Sequence, residues 1–460
     1  MEADGPLREV EAGAVRAERP DSLDLVTCLA AIAVGLASGG LAAAFRSTLG
    51  YAVREHAALV SAVAQGLPVA RLLPLLTFTL FAGIAGWLTF RFAPEASGSG
   101  IPHVETTLAR DTEIRWRRIL PVKFAGGALG LAAGLSLGRE GPTVQMGSAA
   151  AEAVAGAAGL RRVRRHVLIA AGAGAGLTAA FQAPLAGFVF VLEELRQPRR
   201  LATAVPVLLA TVAADAAVVT LLGGTPLLAL PAAPAAPLAG WPLLGIAGVL
   251  GGAIGVAFNR VLLAALRFFQ RAPGPRALYV AASGTAAAVV AALLPAAAFG
   301  GEDVVASILR GDGVLAASAG ALALLCFVKL ALTVTSYAPG APGGLFAPLL
   351  VIGAALGGAL GNALLTVSGG GPDVAAFALC AMAAVFAGSV RAPVTGVVLL
   401  VEMTGAVGSL PALALASALG WGVARLLRDP PLYEAIRALG AGPAPTPGSD
   451  RTGAGPGARA

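Results

Sequence analysis

The chain has 460 residues, 57% of them hydrophobic and only 12% charged, with a mean hydropathy of +0.81. A soluble domain carries about 25% charged residues and cannot hide so much apolar surface, so an ordinary soluble enzyme is excluded. Disorder is excluded too, because it needs low hydrophobicity and high charge. The class that remains is an all-helical polytopic membrane protein.

Residues 1–24 mix acidic and basic side chains with no cationic start leading into a short apolar core. This is not a signal peptide; a cytoplasmic tail is expected. The runs 26–45, 72–90, 167–192, 277–299 and 338–372 then carry no Asp, Glu, Lys or Arg. Each is long enough for a span of about 20 residues. Segments 119–136, 201–222, 238–258, 314–336, 374–390 and 392–424 are nearly as apolar. A β-barrel would show alternating ten-residue segments instead. Runs 167–192 and 338–372 are broken by clustered glycine and proline, the pattern of discontinuous helices around a transport site.

Arginines gather at Arg110/Arg115/Arg117/Arg118, Arg161/Arg162/Arg164/Arg165, Arg196/Arg199/Arg200 and Arg425/Arg428. With the net charge of +7, they read as cytoplasmic loops under the positive-inside rule, not as a nucleic-acid surface. Cys28, Cys326 and Cys380 lie far apart in apolar runs, and His56, His103 and His166 are scattered. No disulfide framework, metal motif or intramembrane enzyme is indicated. The stretch 439–460 is rich in Gly, Pro and Ala and is expected to be disordered.

The sequence repeats itself. Ala183-Pro184, Gly187 and Glu193 are echoed 209 residues later by Ala392-Pro393, Gly396 and Glu402, with matching apolar filler. Upstream, Gly141-Pro142 and Gly147 are echoed 206 residues later by Ala347-Pro348 and Gly353. Two echoes in the same order predict two homologous halves, about 25–222 and 238–438. Internal repeats place a transport site at their interface, near the membrane midplane.

Three motifs look like buried helix starts: Gly98-Ser99-Gly100-Ile101-Pro102, Gly138-Arg139-Glu140-Gly141-Pro142 and Gly343-Gly344-Leu345-Phe346-Ala347-Pro348. Proline suits a first helical turn, and glycine permits close backbone approach. Each start offers unpaired N–H groups and the positive end of a helix dipole. Aimed at one place in a membrane, they would hold an anion without the full charge that prevents release.

In these motifs, together with Pro431-Leu432-Tyr433, the chain resembles the CLC family of chloride channels and chloride/proton antiporters across roughly residues 25–438. The resemblance implies inverted halves. It also implies a chloride held by the hydroxyls of Ser99 and Tyr433 and the amides of Leu345 and Phe346, with an outer site at the amides of Arg139–Gly141. Glu140 resembles the family's gating glutamate, its ordinary alternative being an ion pair with Arg139. Glu194 resembles the inner proton-transfer glutamate that marks exchangers, its alternative being a helix-end carboxylate paired with arginine. Glu193 supports the proton path or is structural, as its alignment with Glu402 hints.

Antiport of chloride against protons is the leading implication, a passive channel of the same fold the alternative. Ser99 favours chloride over nitrate. Glu105 and Lys123 are expected to pair with each other. Asp215, Lys329, Arg391 and Glu402 are expected in structural pairs or at snorkelling helix ends. His103 and Gln182 depart from the common pattern, and His103 is expected to be solvated. The resemblance further implies a homodimer with one pathway per subunit in the lipid bilayer of an inner membrane, both termini cytoplasmic, with no cofactor.

Overall fold

The computed structural model describes residues 23–64, 72–230, 234, 236–316, 318–368 and 371–440. The expected tails therefore lie almost wholly outside the described residues. Leu439 and Gly440 depart from expectation, since they close a helix.

The described residues fold into helices α1 (Leu25–Ala64), α2 (Leu73–Phe92), α3 (Ile101–Arg110), α4 (Trp116–Ala132), α5 (Glu140–Ala157), α6 (Arg162–Phe181), α7 (Pro184–Glu193) and α8 (Leu201–Leu222). The second half repeats them as α9 (Trp241–Arg271), α10 (Arg276–Leu293), α11 (Glu302–Arg310), α12 (Ala319–Tyr337), α13 (Phe346–Ser368), α14 (Val374–Ser389), α15 (Pro393–Thr404) and α16 (Leu410–Leu426). A final helix, α17 (Leu432–Gly440), has no counterpart. Among the described residues, eight helices are long and apolar enough to cross a membrane.

Contacts between equivalent helices reveal how the halves are related. On α2 and α10, Thr79 meets Thr285 at 2.7 Å, Gly83 meets Ala281, and Gly86 meets Ala277 and Val280. As the number rises on one helix it falls on the other, so these spans are antiparallel. Glu193 at the end of α7 accepts from Val394 N and Thr395 N at the start of α15, at 3.1 and 2.7 Å. Glu402 on α15 accepts from Leu185 N and Ala186 N on α7, at 3.0 and 2.7 Å. Such reciprocal capping is the signature of a two-fold relation. Its axis runs perpendicular to the spanning α2 and α10, hence in the membrane plane, and the halves are inverted.

One expected segment is split, at a place that matches an expected boundary in the other half. Run 167–192 breaks at Gln182 (φ 52°), and the boundary between segments 374–390 and 392–424 falls at Arg391 (φ 75°), each followed by Ala-Pro. Left-handed backbone is costly for such residues, and side-chain bonds hold it. Arg46 donates to Gln182, which donates to Gly223 O; Arg391 donates to Trp421 O and Asp429 O. The expected segment 392–424 is likewise two helices, α15 and α16, because Gly405 turns left-handed (φ 74°) between them.

Three arginine clusters share one face. Arg162 pairs with Asp111, and Arg165 bonds Glu152 and Thr112 O. Arg196 pairs with Glu434 at 2.8 Å beside the end of α3.

Candidate functional site

The starts of α5 and α13 meet head to head at the inter-half axis. Gly138 N donates to Gly344 O at 2.9 Å and Gly344 N to Gly138 O at 2.7 Å. Only glycine allows this approach: a Cβ on Gly344 would lie 2.2 Å from Glu140 Oε1, and one on Gly141 would lie 2.7 Å from Ser99 O and 2.9 Å from Gly344 Cα. Gly343 N donates to Gly98 O at 3.0 Å, which ties the third motif into the cluster.

Ser99, Glu140, Phe346 and Tyr433 are fully buried here. Glu140, in the first turn of α5, reaches across to the first turn of α13. Its Oε1 accepts from Phe346 N at 2.6 Å and from Ala347 N at 3.3 Å. A carboxylate thus sits where free N–H groups and the positive helix end favour an anion. Its Oε2 is buried with no hydrogen-bond partner among the described residues. The ion pair with Arg139 weighed above does not form. Arg139 Nη2 lies 3.0 Å from Glu302, and its Nε donates to Ala180 O.

The Phe346 ring packs against Tyr433, centroids 5.9 Å apart. Tyr433 Oη is buried with no hydrogen-bond partner among the described residues. Ser99 Oγ accepts from Ile101 N at 3.2 Å, which leaves its own proton to donate. Two hydroxyl donors therefore accompany the amides of α13. Sequence reasoning missed the Ala347 amide, although its place in the first turn of α13 was a usable signal.

Glu194 lies elsewhere. Half-buried, it lines a cavity of about 250 Å³ with Glu105, His166, Arg196, Glu434 and Arg437. The arginine pairing weighed for it is taken by Glu434. Glu434 follows Tyr433 on α17, so one helix start touches both regions. Glu193 is the cap of α15 described above.

Two expectations are corrected. Lys123 does not pair with Glu105; its Nζ donates to Ala96 O at 2.9 Å and Gly98 O at 2.7 Å. The flexible ammonium reaches carbonyls that have no helical partner, while Glu105 faces the cavity of Glu194. His103 is not simply solvated either. Its Nδ1 lies 3.3 Å from Gln145 Nε2, which also donates to Glu95 O at 2.7 Å. An amide nitrogen only donates, so Nδ1 is the acceptor.

The geometry agrees with the comparisons. Residues 79–425 match the model of the voltage gated chloride channel family. The chain is 36% identical over 392 residues to the H(+)/Cl(-) exchange transporter ClcA of Salmonella paratyphi A, which spans 84% of this chain and 82% of that one. It is 35% identical over 395 residues, with the same coverage, to ClcA of Salmonella typhi. Among solved structures, a slow cyanobacterial Cl-/H+ antiporter superposes with a TM-score of 0.86 at 32% identity, covering 91% of this chain and 99% of that one. A CLC-type fluoride/proton antiporter shares the fold with a TM-score of 0.72 at 21% identity, covering 89% and 97%. With most of its length matched by the family model, its signature motifs converging at one axis and its fold shared, this multi-pass membrane protein belongs to the voltage gated chloride channel (CLC) family.

Proposed function

We propose that the chain exchanges chloride for protons across the membrane. The observation that carries this reading is Glu140 on the amides of Phe346 and Ala347. An ionised carboxylate there occupies an anion site and excludes chloride. On protonation it loses the charge that the amides favour, swings away, and chloride takes its place. Carboxylate and chloride thereby become alternatives on the same donors, and taking up a proton goes with admitting a chloride. The hydroxyls of Ser99 and Tyr433 add two neutral donors, the amides of Leu345 and Phe346 complete the central site, and those of Arg139–Gly141 form the outer one. None carries a full charge, so the anion binds and leaves.

Glu194 is the inner proton donor and acceptor in this reading. Its support is the polar cavity it shares with Glu105, outside the anion path. Glu193 is a structural cap. The protein works as a homodimer with one pathway per subunit, in an inner membrane with both termini cytoplasmic, as the family resemblance implies.

The test is flux in proteoliposomes under an imposed chloride gradient, with chloride efflux and external pH recorded together. Uphill proton movement that disappears in Glu140→Ala is the expected result. Chloride efflux with only passive proton leak would make the protein a channel.

A further inference from the structure

Helix α12 carries a polar stripe in an otherwise apolar span. Lys329, Thr333, Ser336 and Tyr337 follow the spacing of one helical face, and all four are buried. Lys329 Nζ donates to Ala297 O at 3.1 Å and Phe299 O at 2.6 Å. Phe299 N donates onward to Gly134 O at 3.1 Å, and Glu302, at the end of the same loop, pairs with Arg139. Ser336 Oγ accepts from Ser136 N at 3.1 Å. Thr333 donates its only hydroxyl proton to Lys329 O at 2.7 Å. In the 2.7 Å contact between the Ser136 and Thr333 hydroxyls, Ser136 is therefore the donor. Tyr337 Oη accepts from Ser99 N at 3.2 Å. One helix face thus holds both the segment that leads into Glu140 and the loop that carries Ser99.

The repeat shows that the fold does not demand this stripe. The counterpart of Lys329 on α4 is Lys123, 206 residues earlier, and it too clamps two carbonyls of the loop before a short helix. Thr333, Ser336 and Tyr337, however, correspond to Gly127, Gly130 and Leu131. The hydroxyls occur only in the half that faces the Glu140 segment.

We propose that Thr333, Ser336 and Tyr337 are positioning residues, which set Glu140 and Ser99 relative to one another and so govern how tightly proton and chloride movement are coupled. This rests on the exchange reading above. Without the hydroxyls of Thr333 and Ser336, the buried N–H and O–H of Ser136 lose their partners, a costly state in an apolar interior. The segment before Glu140 then shifts, and chloride passes without waiting for the proton.

The experiment compares reconstituted wild type with the double variant Thr333→Val/Ser336→Ala, with Thr333→Ser and with Tyr337→Phe. It reads the proton-to-chloride flux ratio, the pH of half-maximal chloride flux and the thermal midpoint. In the double variant the ratio should fall about two- to tenfold, the size of a lost hydrogen bond. Its pH midpoint should move while chloride flux persists, and Thr333→Ser should keep the wild-type ratio. A double variant with unchanged ratio and pH midpoint overturns the proposal, as does one in which both fluxes fall only in proportion to folded protein. If the double variant does not fold, Tyr337→Phe decides. Its apparent chloride affinity should fall about twofold or more, and unchanged affinity with unchanged ratio overturns the proposal. Uncoupled flux in the wild type itself would instead sink the exchange reading, so the two failures are separate.

Discussion

The start of α5 and the start of α13 are the same piece of backbone used twice. Gly138-Arg139-Glu140-Gly141-Pro142 and Gly344-Leu345-Phe346-Ala347-Pro348 lie 206 residues apart, and their leading glycines exchange a pair of hydrogen bonds across the axis. Both present free amides at a helix start. The side chains divide the labour. Glu140 leaves its own helix and takes the amides of the other, while Phe346 packs against Phe190, Phe386 and Tyr433 and closes the apolar side of the site. Repetition thus supplies a symmetric cradle of amides, and in the exchange reading proposed above the replacement of one aromatic ring by one carboxylate makes it a gate. Elsewhere the symmetry is kept, as in the two lysine clamps and the reciprocal caps Glu193 and Glu402, and there the residues serve the fold.

Breaking the asymmetric pair should have the largest effect. Glu140→Ala removes the competitor for the α13 amides; proton coupling should vanish while chloride flux remains. Glu140→Gln should also flatten the pH dependence. On the exchange reading, acid protonates Glu140 and releases it, so wild-type chloride flux should rise as pH falls, whereas a glutamine cannot titrate. Dual flux recordings across a pH series check both, and pH-dependent flux in the glutamine variant would refute the assignment.

Glu194→Gln comes next. Proton movement should fall tenfold or more (roughly the contribution of a positioned proton-transfer group) with anion flux largely intact. If both ions stop together, Glu194 is structural.

The symmetric caps should respond differently. Glu193→Ala and Glu402→Ala each leave two backbone N–H groups unpaired, a cost of about 1–3 kcal/mol. Each should lower the thermal midpoint by a similar amount without changing the flux ratio of the surviving protein. A change in ratio in Glu193→Ala alone would return that residue to the proton path.

Tyr433→Phe removes one neutral donor, worth about 1 kcal/mol, so chloride affinity measured by calorimetry should fall about fivefold. The smallest effect belongs to Asp24, which accepts from Val26 N and Thr27 N at the start of α1. The Thr27 hydroxyl, with help from these amides and Arg164, holds its carboxyl below the usual carboxylate range. Its stabilisation is therefore present above the ordinary carboxylate pKa and lost as pH falls through the lowered one. Asp24→Ala should cost about 1 kcal/mol, seen as a lower thermal midpoint at neutral pH that converges on the wild type in acid.

Much of this was legible in one dimension because apolar length and helix-start chemistry are local. The uncharged runs marked most spans, and Gly-Pro clusters marked the broken helices. The matching Ala-Pro elements at 183 and 392 betrayed the repeat. What failed were questions of reach. The family resemblance implied a pair between Lys123 and Glu105, yet the ammonium is satisfied by two loop carbonyls, which carry no sequence signature. Glu105 is instead beside Glu194, from a different helix. The role of Thr333, Ser336 and Tyr337 was invisible for the same reason: small hydroxyl residues in a span read as filler until their partners are known.

The sequence by itself determined a helical membrane protein of two related halves, with three glycine-proline helix starts and glutamates at named places, because hydropathy, helix length and first-turn preferences depend on near neighbours. Tertiary structure alone decided that the halves are inverted and that the Glu140 carboxylate lies on the amides of the opposite half. It also separated Glu193 the cap from Glu194 the cavity residue, because the direction of a side chain across a two-fold axis is set by packing between residues some 200 positions apart.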